Sequence, residues 1–359
     1  MEIIKQKYDN VSICKALAII LMVLGHTGFS HSGNAIIYMF HMPLFVFMSG
    51  YCFKEKYINE PKAYLIGRIK RLYIPFVIWS LIFLALHNLF YHWNLYNDTF
   101  GYNGSTSHLY SLSDFFRHTA QIILFHGSEQ LLGGFWFIKA LFWGSTIAYI
   151  LLKLLKKAGR CILISLVATF LIIHFNFHIP YLLIGKPEIY CSFFFLCGKY
   201  YKEKEFKFEN NPIVILLLAA TVLAGSKWWP ASLTDVTDAT LLPYSISALA
   251  GTLFCLGISH YITTIKQFRA INRFLLFIGN NTLDILALHF ISFKVVSLII
   301  IKIYRLDIAH LAEFPIIGEF GSNGWWVAYL LIGIFLPLCF SYIKSIIRAY
   351  HKSTQVYKS

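Results

Sequence analysis

Runs of about twenty apolar residues recur along the whole chain, and they fix what it can become. A stretch of that length with few charges spans a hydrocarbon core about 30 Å thick, where only a helix satisfies its own backbone. Ten such runs fall at roughly 11–29, 35–53, 72–91, 135–152, 161–179, 189–201, 213–229, 243–265, 275–303 and 324–343. The sixth is short, and the ninth is long and polar at its start, which predicts a tilted or broken entry. Composition agrees: 57% of the 359 residues are hydrophobic and 13% charged, where a soluble domain carries about 25% charged residues. The expectation is an all-α integral membrane protein, a bundle of about ten transmembrane helices forming one domain over 1–359 with no separate soluble domain.

Charge sets the orientation. Lys5, Lys7, Lys54, Lys56, Lys62, Arg68, Lys70 and Arg71 fall on one side. The same side holds Lys153, Lys156, Lys157, Arg160, Lys199, Lys202, Lys204 and Lys207, then Lys266, Arg269, Arg273, Lys344, Arg348, Lys352 and Lys358. The other side offers Arg117, Lys186, Lys227 and Arg305, and its loop from His92 to Asp114 has no Lys or Arg. The positive-inside rule therefore predicts cytoplasmic termini, and an even number of spans agrees with both lying on one side. The net charge of +14 is thus topological and gives no reason to expect nucleic acid. The first apolar run has no clear small-residue cleavage site and is not expected to be a cleaved signal. Seven cysteines form no CxxC pair and read as free thiols. No internal repeat is visible, which disfavours an inverted-repeat transporter.

Within this apolar background, ionisable residues mark function. Lys15 and His26 share the first run. Eleven residues make about three turns, so the two project from one face, roughly 16 Å apart. Ionisable groups at that depth are costly and read as inward-facing. His41 and His289 fall in the same outer half. Converging neutral imidazoles can accept a proton from a hydroxyl, although hydrogen-bonded packing between helices explains His41 and His289 equally well. Without an HExxH or a His/Cys pair at ligand spacing, no metal is expected. On the basic side, Arg68 and Arg71 share a face at i, i+3, and guanidinium forks match phosphates. Together with Lys15 they suggest a receptor for a cytoplasmic polyanion, against ordinary lipid-headgroup contact. Pro43, inside the second run, predicts a kink. Trp136, opening the fourth run, is either an interfacial anchor or an apolar wall for a bound chain.

These residues together resemble the acyltransferase-3 family of membrane O-acyltransferases, especially its fucose 4-O-acetyltransferase-like branch. The likeness runs through most of the chain. It rests on Lys15 with His26 ten intervening residues on, Phe40-His41-Met42-Pro43-Leu44-Phe45 with Ser49-Gly50, and Arg68 with Arg71 followed by Leu72, Pro75 and Trp79. Gly134 to Leu141 and Gly279 to His289 complete it. Two departures stand out: Lys15 replaces the commoner Arg, and Asp284 and Ala287 replace apolar and Tyr residues.

The resemblance implies an acyl-CoA donor entering from the cytoplasm and a carbohydrate acceptor, free or lipid-linked, in a bacterial plasma membrane. Lys15, Arg68 and Arg71 would hold the CoA phosphates, and Trp136 would wall the bound chain. His26 would be the base, with His41 and His289 orienting it, the acceptor or the oxyanion. Acetyl-CoA is the expected donor substrate and an envelope or exported glycan the acceptor. A glycan transporter and a non-catalytic subunit of polysaccharide assembly are the alternatives.

Overall fold

The structure, a computed structural model, describes residues 2–100, 106–206 and 211–356. Lys207 and Lys358 of the basic set lie outside the described residues, as do 101–105 of the uncharged loop; so do the side chains of Lys5, Lys7, Lys266 and Lys352.

In chain order, α1 (Glu2–Gly25) is followed by α2 (His31–Tyr38), α3 (His41–Tyr51), α4 (Lys56–Asn59) and α5 (Pro61–Arg68). A π-helical turn at Ile69–Tyr73 leads into α6 (Ile74–Ala85), then α7 (His87–His92) and α8 (Leu112–Ile123). A tight helical turn, Gln130–Phe135, leads into α9 (Trp136–Leu155), and α10 (Ala158–His174), α11 (Lys186–Glu203) and α12 (Pro212–Trp228) follow. The chain continues through α13 (Leu241–Thr264), α14 (Arg269–Asn280), α15 (Thr282–Tyr304), the short α16 (Gly318–Phe320) and α17 (Trp326–Val356). Among the described residues the only β pairing is an isolated bridge between Ile179 and Ile184.

Among the described residues, five helical stretches are long and apolar enough to cross a membrane: His31–Tyr51, Gln130–Leu155, Leu241–Thr264, Thr282–Tyr304 and Gly318–Tyr350. Two shorter apolar helices, Ala158–His174 and Pro212–Trp228, accompany them. Their outer faces carry Leu163, Val167, Leu216, Leu217, Ile246 and Phe335, all exposed. A continuous apolar exterior of this kind suits lipid and not water. Several interior hydroxyls are satisfied within their own helices: Ser245, Thr252 and Ser292 donate to the carbonyls of Leu241, Ala248 and Leu288.

Three breaks decide where the site falls. The second run divides at Phe40 (φ −145°, ψ −17°), so α3 begins at His41. Pro43 therefore lies in the first turn of a helix, where no intrahelical donor is lost, and starts α3 where a mid-span kink was expected. The first run ends a residue before His26, whose amide bonds the Val23 carbonyl in the closing turn. The ninth run breaks at Asn281 between α14 and α15, in line with its polar start.

α1 packs against α3, α13, α14, α15 and α17, and α11 packs against α3, α9 and α10. The α3–α11 contact is backbone on backbone. A Cβ on Gly50 would stand 1.8 Å from the Phe195 carbonyl oxygen, and one on Gly198 would stand 2.0 Å from that of Phe47. Small residues permit this approach, the usual basis of close helix packing in membranes. Two buried charges are neutralised. Asp284 on α15 binds Lys344 on α17 and accepts a 2.7 Å bond from the Ser341 hydroxyl. Lys199 on α11 pairs with Glu203 and, at 3.0 Å, with Glu55.

Candidate active site

Helix α1 runs between two cavities, named inner for the one at its N-terminal end and outer for the one at its C-terminal end. The outer one, about 750 Å³, is lined by Met22, His26, Tyr38, His41, Trp136 and Leu286, with Asn34 and the 230–235 turn at its mouth. His26 and His41 thus face one space. The ends of two helices bring them there: His26 closes α1, and His41 opens α3 after the Phe40 break. His289, on α15, completes the group with its ring centroid 5.8 Å from that of His26. Phe290 meets the His26 ring edge-on at 5.0 Å.

The hydrogen bonds assign protons. His41 Nδ1 lies 2.7 Å from the Ile37 carbonyl, and His289 Nδ1 lies 3.1 Å from those of Ile285 and Leu286. A carbonyl oxygen only accepts, so each Nδ1 carries a proton, and in the neutral ring each Nε2 presents a lone pair. His289 Nε2 is buried without a hydrogen-bond partner, an arrangement that costs about 1–3 kcal/mol. His26 forms no side-chain hydrogen bond with the described residues, so neither nitrogen is committed. As neutral rings His41 and His289 can accept from a hydroxyl or an imidazole N–H. In that neutral form neither Nε2 donates a hydrogen bond.

The inner cavity, about 630 Å³, is lined by Lys54, Arg68, Arg71 and Lys202 with the aromatic rings of Tyr51, Phe53, Tyr57 and Tyr64. Among the described residues, no carboxylate belongs to this lining. Arg68 is held in place: Nη1 donates to the Ser49 hydroxyl at 2.9 Å, and the guanidinium lies over Tyr64 at 5.1 Å and Phe195 at 5.4 Å. Lys202 reaches the Phe53 carbonyl at 2.7 Å. Four cations against aromatic walls form a seat for a phosphorylated ligand with a planar ring.

The expected set divides between these two spaces. Arg68 and Arg71 meet in the inner cavity, joined by Lys54 and Lys202, which the charge tally had counted only toward orientation. Lys15 is half-buried one turn above Val11, which lines that cavity, but is not itself in the wall. Trp136 is far from the cations. It lines the outer cavity beside His26 and His41, because the turn preceding α9 carries it to that end. The wall it offers thus stands beside the histidines and not beside Arg68 and Arg71. The two cavities share no lining residue, so the basic residues and the histidines line separate spaces. Met42 faces the outer space and Ser49 the inner. Phe45 lies between them on α3, with its ring 5.9 Å from Phe137.

Two intramembrane cations escaped the sequence reading, although the criterion that found Lys15 would have found them. Lys294 on α15 is buried with its ammonium on the Glu313 carbonyl. Lys139 stands one turn into α9 and donates to the Leu183 carbonyl at 2.7 Å. Among the described residues, no group of three or more His, Cys, Asp or Glu is close enough to hold a metal ion. Asp284, the carboxylate a proton-coupled transporter would need, is already paired.

Comparison with curated proteins returns no match, and neither does comparison with solved structures. Against families, the acyltransferase domain of the acyltransferase-3 family matches residues 8–344, nearly the whole chain and both cavities. The chain belongs to the acyltransferase-3 family and is a membrane acyltransferase.

Proposed function

We propose that this protein is a membrane O-acetyltransferase that moves an acetyl group from cytoplasmic acetyl-CoA to a hydroxyl of a cell-envelope or exported glycan. One observation carries the reading: a cavity walled by four cations and no acid at one end of α1 and α3, and a cavity holding His26 and His41 at the other. The chain would lie in a bacterial plasma membrane as about ten spans with both termini cytoplasmic. The basic cavity then opens on the compartment that holds CoA thioesters.

Lys54, Arg68, Arg71 and Lys202 would bind the phosphates, with Tyr57 and Tyr64 flanking the adenine. The uncharged pantetheine arm would have to displace Phe45, which lies between the two cavities on α3, to bring the thioester under His26. The neutral His26 takes the proton of the acceptor hydroxyl as its oxygen attacks the thioester carbonyl. The new C–O bond forms, the C–S bond breaks, and the proton passes from His26 to the departing CoA sulfur. The lone pairs of His41 and His289 accept from an acceptor hydroxyl or from the His26 N–H, and so hold the base in a productive tautomer. Trp136 gives a sugar ring an apolar face.

The test is transfer by the purified protein in lipid nanodiscs, given labelled acetyl-CoA and glycan from the host envelope. Label appearing on glycan as base-labile ester supports the reading. Glycan translocation in vesicles without any label transfer would make the protein a transporter.

A further inference from the structure

Beside the outer cavity lies a second space of about 500 Å³ that shares Trp136 and Thr234 with it. His126, Lys139, His178 and Glu188 bring ionisable groups to its wall. Their hydrogen bonds show which charges are already answered. Glu188 Oε2 accepts from the Gly185 amide at 2.9 Å and caps the start of α11, where the helix dipole favours a carboxylate. Lys139 is half-buried, and its one hydrogen bond runs to the neutral Leu183 carbonyl. No carboxylate lies within ion-pairing distance of it among the described residues. His126 Nε2 donates to the Tyr181 carbonyl at 3.0 Å, and its other nitrogen is left for a ligand. Glu188 is the carboxylate among the described lining residues and attracts Lys139 without forming an ion pair with it, so Lys139 keeps ammonium donors for a charged ligand in a largely apolar surround.

We propose that this space is an anion-binding annex of the acceptor site, in which Lys139 receives the carboxylate or phosphate of an acidic sugar while a hydroxyl of the acceptor enters the His26 cavity. Trp136 and Lys139 stand at i, i+3 on α9 and so share a face. An acceptor stacked on Trp136 presents its charged substituent to Lys139. A lysine merely snorkelling to lipid headgroups would not need a cavity that shares Trp136 with the histidine cavity. The inference rests on the outer cavity being the acceptor site and adds that the acceptor is acidic.

Direct binding tests it independently of acetyl transfer. Purified protein in nanodiscs is titrated with methyl glucuronide, glucose 1-phosphate and methyl glucoside, as wild type, Lys139→Met and Lys139→Arg. A charge-assisted hydrogen bond contributes about 1.5–3 kcal/mol, so Lys139→Met should weaken the two anions by about tenfold or more. Lys139→Arg should retain them, and methyl glucoside should bind all three proteins alike, which also checks the fold. Equal affinity of wild type and Lys139→Met for the anions overturns the proposal. It is equally overturned if the substitution changes only retention of phosphatidylglycerol in nanodiscs that contain it, which would make the annex a lipid site. Loss of acetyl transfer with anion binding intact would fault the enzyme reading and leave the annex standing.

Discussion

His41 and His289 each spend one nitrogen on their own helix, which fixes what the other nitrogen can do. The orphaned Nε2 of His289 makes a prediction that separates stability from function. His289→Phe keeps the ring and removes the unpartnered atom, so thermal stability should hold or rise while transfer falls by at least tenfold. Turnover equal to wild type would show that the lone pair has no part in the reaction. At the other cavity, Arg68 already gives one nitrogen to Ser49 and keeps the rest of its fork for the ligand. Arg68→Lys retains the charge and loses the fork, so KM for acetyl-CoA should rise about tenfold, the equivalent of one charge-assisted bond, with kcat little changed. An unaltered KM would remove Arg68 from the donor site. At this scale the sequence was informative because an ionisable residue in an apolar run is conspicuous. Lys15, His26, His41 and His289 were legible for that reason. Lys139 and Lys294 are equally conspicuous in their runs, but a count of cations by loop registers orientation and not such intramembrane groups.

Elements carry these side chains to their places through breaks and close approaches. The α3–α11 contact admits no Cβ at Gly50 or Gly198. Gly198→Ala should force the backbones apart and cost at least about 2 kcal/mol, within the range for overpacking. A detergent melt reads this as a lowered midpoint, and an unchanged midpoint would mean that the helices are not in backbone contact. The side chain of Asn211 caps α12 by accepting from the Ile213 and Val214 amides. Asn211→Ala should cost about 1 kcal/mol and raise local hydrogen exchange at that end of α12 without altering transfer. Breaks were legible only where polar residues mark them. Asn281 advertised the α14–α15 break, whereas 35–45 is almost uniformly apolar, and Pro43 there reads as a kink in mid-span. Only the bundle shows that α3 begins at His41, since the break depends on how Phe40 packs. That ring seats against α13, within 2.6 Å of where a Gly251 Cβ would stand.

Across the whole molecule, the periodicity of apolar runs anticipated an all-helical membrane chain, because a bilayer leaves a hydrophobic segment few alternatives. The cavities were not legible, since an empty space belongs to no residue and arises from how distant helices meet. Asp284 and Lys344 join α15 to α17 across 60 residues of chain. Removing Asp284 alone strands a partly buried ammonium and should cost on the order of 3 kcal/mol, more than removing both partners together. Double-mutant analysis of melting midpoints checks the order, and additive losses would mean that the pair is not coupled. The central claim joins the scales: the donor binds in the inner basic cavity, and His26 performs the chemistry from the outer one. The direct measurement is His26→Ala in purified protein, with acetyl-CoA binding by calorimetry and acetyl transfer determined on the same sample. Donor affinity should match wild type while transfer falls by about a hundredfold to ten-thousandfold, as expected for a lost general base. Transfer within twofold of wild type, or loss of donor binding along with it, would contradict the account.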